Sequence, residues 1–309
     1  MNHSRRTRFL YSLDGPKGLA AHERRAVVRS LLAAGTVLSM GASERAFTAS
    51  GSSSCPALPQ ETSGPFPADG SDLQFDRGPG PPGPDRHPPR PPPPGVDRQG
   101  PGPAPPGADS GHPVSNVLAA PGIVRKNIRA SFGTSSTVAA GVPLRLELAL
   151  LDVNSACKPL ANSAVYLWNC NRNGDYSLYG RGIEHENYLR GVQFTDEEGR
   201  VGFETIFPAC YSGRYPHLHL EIFKQHARSL DANTRVLTTQ LTAPREVCSR
   251  VYADAAGYAG SAVRLKELMP SNDMVFAASS PIELALQTLV VTGDVQAGLT
   301  GRASLGIRA

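Results

Sequence analysis

The sequence predicts a mostly β protein: an antiparallel β-sandwich domain with long loops and few short helices, preceded by a signal segment and a Pro-rich disordered linker. Three observations carry that prediction. From about residue 116, period-two alternation recurs in LRLELAL (144–150), AVYLWNC (164–170), RVGFETIF (200–207), PHLHLEIF (216–223), RVLTTQLT (235–242) and IELALQTLVVTGDV (282–295). Runs of this length, bounded by turn signals such as NRNGD and DEEGR, are strands of an antiparallel sandwich or barrel. Residues 77–113 hold just over half of the 28 prolines, a composition that cannot bury a core and favours disorder or extended polyproline II. Arg24-Arg25 precedes SLLAAGTVLSMGA, an apolar run too short to span a bilayer but of the length of a signal h-region.

The elements follow in chain order. Residues 1–49 are expected to be a twin-arginine-like signal segment, because paired arginines stand ahead of a mildly hydrophobic stretch. An earlier pair, Arg5-Arg6, has no apolar run directly after it. The expected location is therefore outside the cytoplasm, periplasmic or extracellular. The twin-arginine route carries folded proteins, which suits a cofactor loaded before export. A lipid anchor on Cys55 is not expected, since SSSC lacks an aliphatic residue upstream. Residues 50–76 form an N-terminal segment associated with the core, 77–115 a linker, and 116–309 the β-sandwich domain. Within that domain one helix is expected at 244–254, where Pro244 starts the first turn and Val247 and Val251 share a face.

Charge narrows the partners. The net charge is +4, but residues 1–49 carry eight Lys/Arg against three Asp/Glu, so the remainder is near −1. The basicity belongs to the N-terminal segment and not to a binding face, which excludes nucleic acid as a partner. No stable membrane span is expected in the mature protein. Five cysteines, Cys55, Cys157, Cys170, Cys210 and Cys248, match no zinc spacing. In an exported chain they allow one or two structural disulfides, with at least one thiol left over and the connectivity open.

The chemistry concentrates in PHLHLEIF. Side chains alternate along a strand, so His217, His219, Glu221 and Phe223 share one face while Leu218, Leu220 and Ile222 pack the other. Two imidazoles on one strand face stand about 7 Å apart at their Cα atoms and can converge on one metal ion. Tyr211 lies in the turn that enters this strand, Arg214 three residues before His217, and Tyr176 in the loop NRNGDYSLYG. With no Cys or Asp/Glu pair nearby, the donors on offer are imidazoles and phenols. Phenolate is a hard anionic ligand that suits ferric iron, and a metal drives its deprotonation far below the free value of about 10.

These motifs, PLANSAVYLWNCNRNGDYSLYG, YLRGVQFTDEEGRVGFETIFPACYSGRYPHLHLEI and the downstream TTQ, together with CPALPQETSGPFPADG at 55–70, resemble the intradiol ring-cleaving dioxygenases. That family includes the catechol 1,2-dioxygenases and protocatechuate 3,4-dioxygenases, and the likeness is to its exported branch. The resemblance implies Fe(III) as cofactor, with Tyr176 as a retained tyrosinate, Tyr211 as the tyrosinate that leaves when substrate chelates the metal, and His217 and His219 as imidazole ligands. It implies Arg214 as the cation beside the substrate ring and Gln240 as the polar residue near it. The partners so implied are a catechol-type substrate and O2, and the product a cis,cis-muconate-type diacid. Asn169 stands where the family often has His. The helical dimerisation segment of the cytosolic catechol enzymes is not evident, so the family's oligomeric state does not transfer.

Two other readings compete: a non-catalytic exported β-sandwich binding module on a proline stalk, and a zinc or copper binder using His217 and His219. Among the remaining residues, His185 and His226 are expected to be solvated and Trp168 to be core. Tyr179, Tyr188 and Tyr215 either line the pocket or pack, and Glu221 either supports the histidines or faces solvent.

Overall fold

The computed structural model describes residues 55–71, 115–223 and 230–309; the twin-arginine-like segment, the whole proline tract at 77–113 and His226 lie outside them. Two sheets form the domain. One contains β1 (Pro143–Asp152), β2 (Lys158–Pro159), β5 (Arg200–Ile206), β8 (Val290–Asp294) and β9 (Gly298–Ile307), with β1 paired to β2, β5 and β9, and β8 to β9. The other has the order β4-β3-β6-β7, from β4 (Arg190–Phe194), β3 (Ala164–Trp168), β6 (His217–Phe223) and β7 (Arg235–Thr242). Every pairing between these strands is antiparallel except β1 with β9, which run parallel. That pair joins distant parts of the chain, and helices supply the crossover that a parallel pairing needs.

The alternation in the sequence explains the layering. Along β1, Leu144, Leu146, Leu148 and Leu150 are buried and meet Val165, Leu167, Leu218, Leu220 and Ile222 of the second sheet in one core. Burying each such leucine contributes about 2 kcal/mol of transfer free energy. The second sheet is covered on its other face too. Ala164, Tyr166, Trp168, Val192 and Phe223 pack there against Phe66, Val117, Leu118, Ile123, Tyr176 and Tyr211. This is why all seven residues of β6 are buried, and it provides a dry face for polar chemistry. Among the described residues no helix is long and apolar enough to cross a membrane.

The helix expected at 244–254 is α1 (Arg245–Asp254), which buries Val247, Cys248, Val251 and Tyr252. Pro244 precedes its first turn, and the Pro244 carbonyl accepts from the Val247 and Cys248 amides. A short α2 (Ala259–Arg264) follows. The stretch 282–295 is not one strand: residues 281–287 form α3 (Pro281–Gln287), and only 290–294 are extended, as β8. The reason is local. Ser280 accepts from the Glu283 amide, Glu283 accepts from the Ser280 amide, and Pro281 fills the first helical position. That reciprocal cap outweighs the alternation of IELALQ. One disulfide forms, Cys55–Cys157, while Cys170, Cys210 and Cys248 are reduced and buried.

Candidate metal centre

Register places the site. On the covered face of the second sheet, Arg190 of β4, Trp168 of β3, His219 of β6 and Gln240 of β7 stand in one cross-strand row. The His219 ring stacks on Trp168, with centroids 4.7 Å apart and planes 5° from parallel. His217 lies one pleat earlier on the same face. Two loops bring the tyrosines. In the first, the Asn171 side chain accepts from the Asn173 and Asp175 amides and so shapes the turn that presents Tyr176. In the second, the Arg214 amide donates to the Tyr211 carbonyl across a tight turn. Gly213 takes φ +73 in that turn, a conformation that favours glycine.

Four donor atoms converge. Tyr176 Oη lies 3.2 Å from Tyr211 Oη, 3.2 Å from His217 Nε2 and 3.0 Å from His219 Nε2. Tyr211 Oη is 3.2 Å from His217 Nε2, and the two Nε2 atoms are 3.1 Å apart. His217 Nδ1 sits 2.6 Å from the Tyr215 carbonyl. A carbonyl only accepts, so Nδ1 carries the proton and the Nε2 lone pair points at the other three donors. His219 Nδ1 is buried with no partner in the structure.

Burial sets the charge state of these groups. It pushes the Tyr176 hydroxyl well above its ordinary range, and raises Tyr211 to about 12. It holds His217 and His219 well below theirs, with the neighbouring His217 ring and Arg214 adding to the effect at His219. By themselves the four groups are therefore two phenols and two neutral imidazoles. Both imidazoles are in the form that binds metal, and both phenols need a strong local cation to ionise.

The arrangement fits a metal ion. Five of the six pairs of donor atoms stand 3.0–3.2 Å apart, the separation of neighbouring ligands on one ion with bonds of about 2 Å. Among the described residues no group of three or more His, Cys, Asp and Glu side chains is placed to hold a metal. The donor set is thus two imidazoles and two phenols, which favours a hard, trivalent ion over zinc.

The side chains around this set fall into two groups. Arg214 is buried, its Nε donating to Asp273 Oδ2 at 3.1 Å and its Nη2 to Gln240 Oε1. Gln240 Nε2 in turn donates to the Thr62 carbonyl at 3.0 Å. Residues 55–71 form a strap that crosses both sheets. Leu58 pairs with Gly306 and Glu61 with Thr238 through the backbone. A Cβ on Gly64 would lie 3.4 Å from His219 Cε1, and Phe66 packs on Tyr176 and Tyr179. The Pro67 carbonyl accepts from Tyr166 and Arg190, and Asp69 pairs with Arg235.

All six residues singled out from the sequence, Tyr176, Tyr211, Arg214, His217, His219 and Gln240, thus lie in one buried cluster. Trp168 is core, as expected, but it is also the surface on which His219 stacks. Glu221 is fully buried and bonded to Arg235, so its solvent-facing alternative is excluded; burial and the nearby Asp69 raise its carboxyl to about 8. His185 is exposed beside Glu186. Tyr215 packs in the core between the sheets, Tyr179 against Phe66, and Tyr188 is buried beside Leu189. Asn169 is buried and accepts from Thr205. Sequence reasoning missed Asp273 and did not resolve which of residues 55–70 touch the cluster. The one local signal for Asp273 is that its Oδ1 caps the next turn by accepting from the Val275 and Phe276 amides, the use an Asp before an apolar run suggests.

The chain is similar to several known proteins. Residues 134–242 match a family model described as Dioxygenase. Over 55 residues the chain is 38% identical to catechol 1,2-dioxygenase 2 of Acinetobacter lwoffii, an alignment spanning 18% of this chain and 20% of that protein. Solved structures with similar folds include an intradiol ring-cleavage dioxygenase from Tetranychus urticae, at 25% identity, covering 60% of this chain and 86% of that one with a TM-score of 0.48. The 3-chlorocatechol 1,2-dioxygenase of Rhodococcus opacus is 18% identical, with coverages of 60% and 67% and a TM-score of 0.40.

Proposed function

We propose that this chain is an intradiol ring-cleavage dioxygenase that opens catechol-type rings with O2 between the two hydroxylated carbons to give cis,cis-muconate-type diacids, a reading supported by the match of residues 134–242 to the Dioxygenase family model. The observation that carries the reading is the convergence of Tyr176, Tyr211, His217 and His219 through contacts of 3.0–3.2 Å on a buried face. These four side chains would hold ferric iron. When bound, the iron would supply a Lewis acid that lowers the pKa of the catechol hydroxyls.

The chain's own residues divide the remaining work. The two tyrosines are not equivalent. Tyr176 Oη contacts the other three donors and its ring lies under Phe66, so its place is fixed. Tyr211 Oη contacts Tyr176 and His217 and stands on the tight turn ahead of Arg214. Consistent with the role the family resemblance implies for it, Tyr211 would be the phenolate that gives way to substrate, accepting one catechol proton while the other passes to water. Its hydroxyl, raised to about 12 by burial, keeps that proton near neutral pH. Arg214 offers a buried guanidinium to negative charge gathering on the ring, a fixed partner that costs no reorganisation. Gln240 holds that guanidinium at Nη2 as Asp273 does at Nε, while Gly64 lies against His219 and Phe66 covers Tyr176. Export by the twin-arginine route, before which the metal would be loaded, completes the reading.

The test is optical and chemical. Ferric tyrosinate absorbs visible light, so the purified protein is expected to be reddish with about one iron per chain, and its colour to shift when catechol is added. Tyr211→Phe is expected to alter the colour and to slow oxygen uptake with catechol by about 100-fold or more, while His185→Ala does neither. A colourless protein carrying stoichiometric iron would sink the tyrosinate assignment, and unchanged turnover in Tyr211→Phe would refute the role of that side chain.

A further inference from the structure

We propose that Asp273 is the positioning residue for Arg214, and that it fixes the guanidinium where the reaction needs it. The inference rests on the ring-cleaving reading above. Asp273 is 0% exposed and lies on the segment between α2 and α3, 59 residues from its partner. Both of its carboxylate oxygens are in use. Oδ2 accepts from Arg214 Nε and from the Tyr215 amide, and Oδ1 accepts from the Val275 and Phe276 amides. The carboxylate is therefore bolted to two backbone segments, the turn ahead of β6 and the turn that follows Asp273 itself. Arg214 has no such backbone anchor for its charged end. It is held at Nε by Asp273 and at Nη2 by Gln240, whose own amide is turned by the Thr62 carbonyl.

This geometry does two things. A long side chain whose guanidinium would otherwise sample several rotamers is held in one, so no ordering cost falls on the reaction step. The fixed carboxylate also neutralises most of a buried charge, which makes Arg214 tolerable next to two neutral imidazoles and two phenols. Removing Asp273 would leave an uncompensated buried cation free to turn toward the nearest phenolate.

The experiment compares Asp273→Asn, Arg214→Ala and the double variant in the iron-loaded, full-length protein. Asp273→Asn is expected to lower kcat for catechol about 10- to 100-fold, the range for a misplaced reacting partner, with KM changed less than about 3-fold and the visible band retained. In the Arg214→Ala background the same substitution is expected to lower kcat no further, because the group it positions is gone. A folded, coloured Asp273→Asn with wild-type kcat overturns the proposal, and so does a full additional loss in the double variant. Should Asp273→Asn fail to fold, Arg214→Ala alone decides. Millimolar guanidinium chloride is expected to restore part of its activity where urea does not, since only a cation would be drawn to the waiting carboxylate. Equal rescue by both, or by neither, overturns the proposal. The two layers fail separately: a wild-type protein without iron or ring cleavage ends the functional reading and this one with it, whereas an active wild type with indifferent Asp273 variants removes Asp273 alone.

Discussion

Replacing Cys55 and Cys157 together by serine separates the stability of the domain from the integrity of its site. The bond joins residues 102 apart, and it ties the start of the strap to the turn after β1. Cross-linking a loop of ~100 residues removes about 4.7 kcal/mol of denatured-chain entropy at 25 °C. Since native disulfides commonly deliver somewhat less than this ceiling, the expected loss is about 3–5 kcal/mol, or roughly 10 °C in Tm for a domain of this size. The folded strap has other anchors. Leu58 and Glu61 keep their backbone hydrogen bonds to Gly306 and Thr238, Pro67 keeps Tyr166 and Arg190, and Asp69 keeps Arg235. If the chain holds iron as proposed, the double variant is expected to retain it and its visible band at 25 °C while its urea midpoint falls. Urea unfolding followed by tryptophan fluorescence measures the first quantity, and iron release to a chelator the second. A stability loss below about 1 kcal/mol would refute the loop-entropy argument. Loss of iron from the folded variant would show instead that the bond itself holds the strap over His219 and Tyr176.

Two further outcomes are expected. Burial raises the Glu61 carboxyl from 4.5 to about 7, against the lowering effect of Gln287, Ser279 and Arg214. The folded protein then holds this proton up to about pH 7 while the unfolded chain releases it near 4.5, so folding takes up a proton in that window and stability falls as pH rises through it. Glu61→Gln is expected to flatten the fall between those pH values in urea titrations, and an identical slope in the variant would refute the assignment. Burial also raises the thiols of Cys170 and Cys248 to about 12 and that of Cys210 to about 11. A thiolate-selective reagent at pH 8 is expected to find no thiol in the native protein and three after denaturation; fast labelling of the native protein contradicts their burial.

Much of the site was legible because its signals are short-range. Strand alternation alone puts His217 and His219 on one face and Leu218 and Leu220 on the other, and the turn residues around Tyr176 and Tyr211 stand beside the strands they leave or enter. At 281–287 two short-range signals conflict: IELALQ alternates like a strand, but the reciprocal Ser280–Glu283 cap and Pro281 at its start decide for a helix.

By itself, the sequence determined the strands β1, β3, β5, β6 and β7, the face on which His217 and His219 lie, and the residue types that could bind a hard metal, because those depend on neighbours two to four positions away. Only the tertiary structure decided that β1 and β9 run parallel, that Cys55 pairs with Cys157, and that the second sheet is buried on both faces. It alone brought Gly64 to His219, Phe66 to Tyr176 and Asp273 to Arg214. Each of these contacts joins segments tens of residues apart. Their pairing depends on how two sheets and a strap share one volume, which no local pattern encodes.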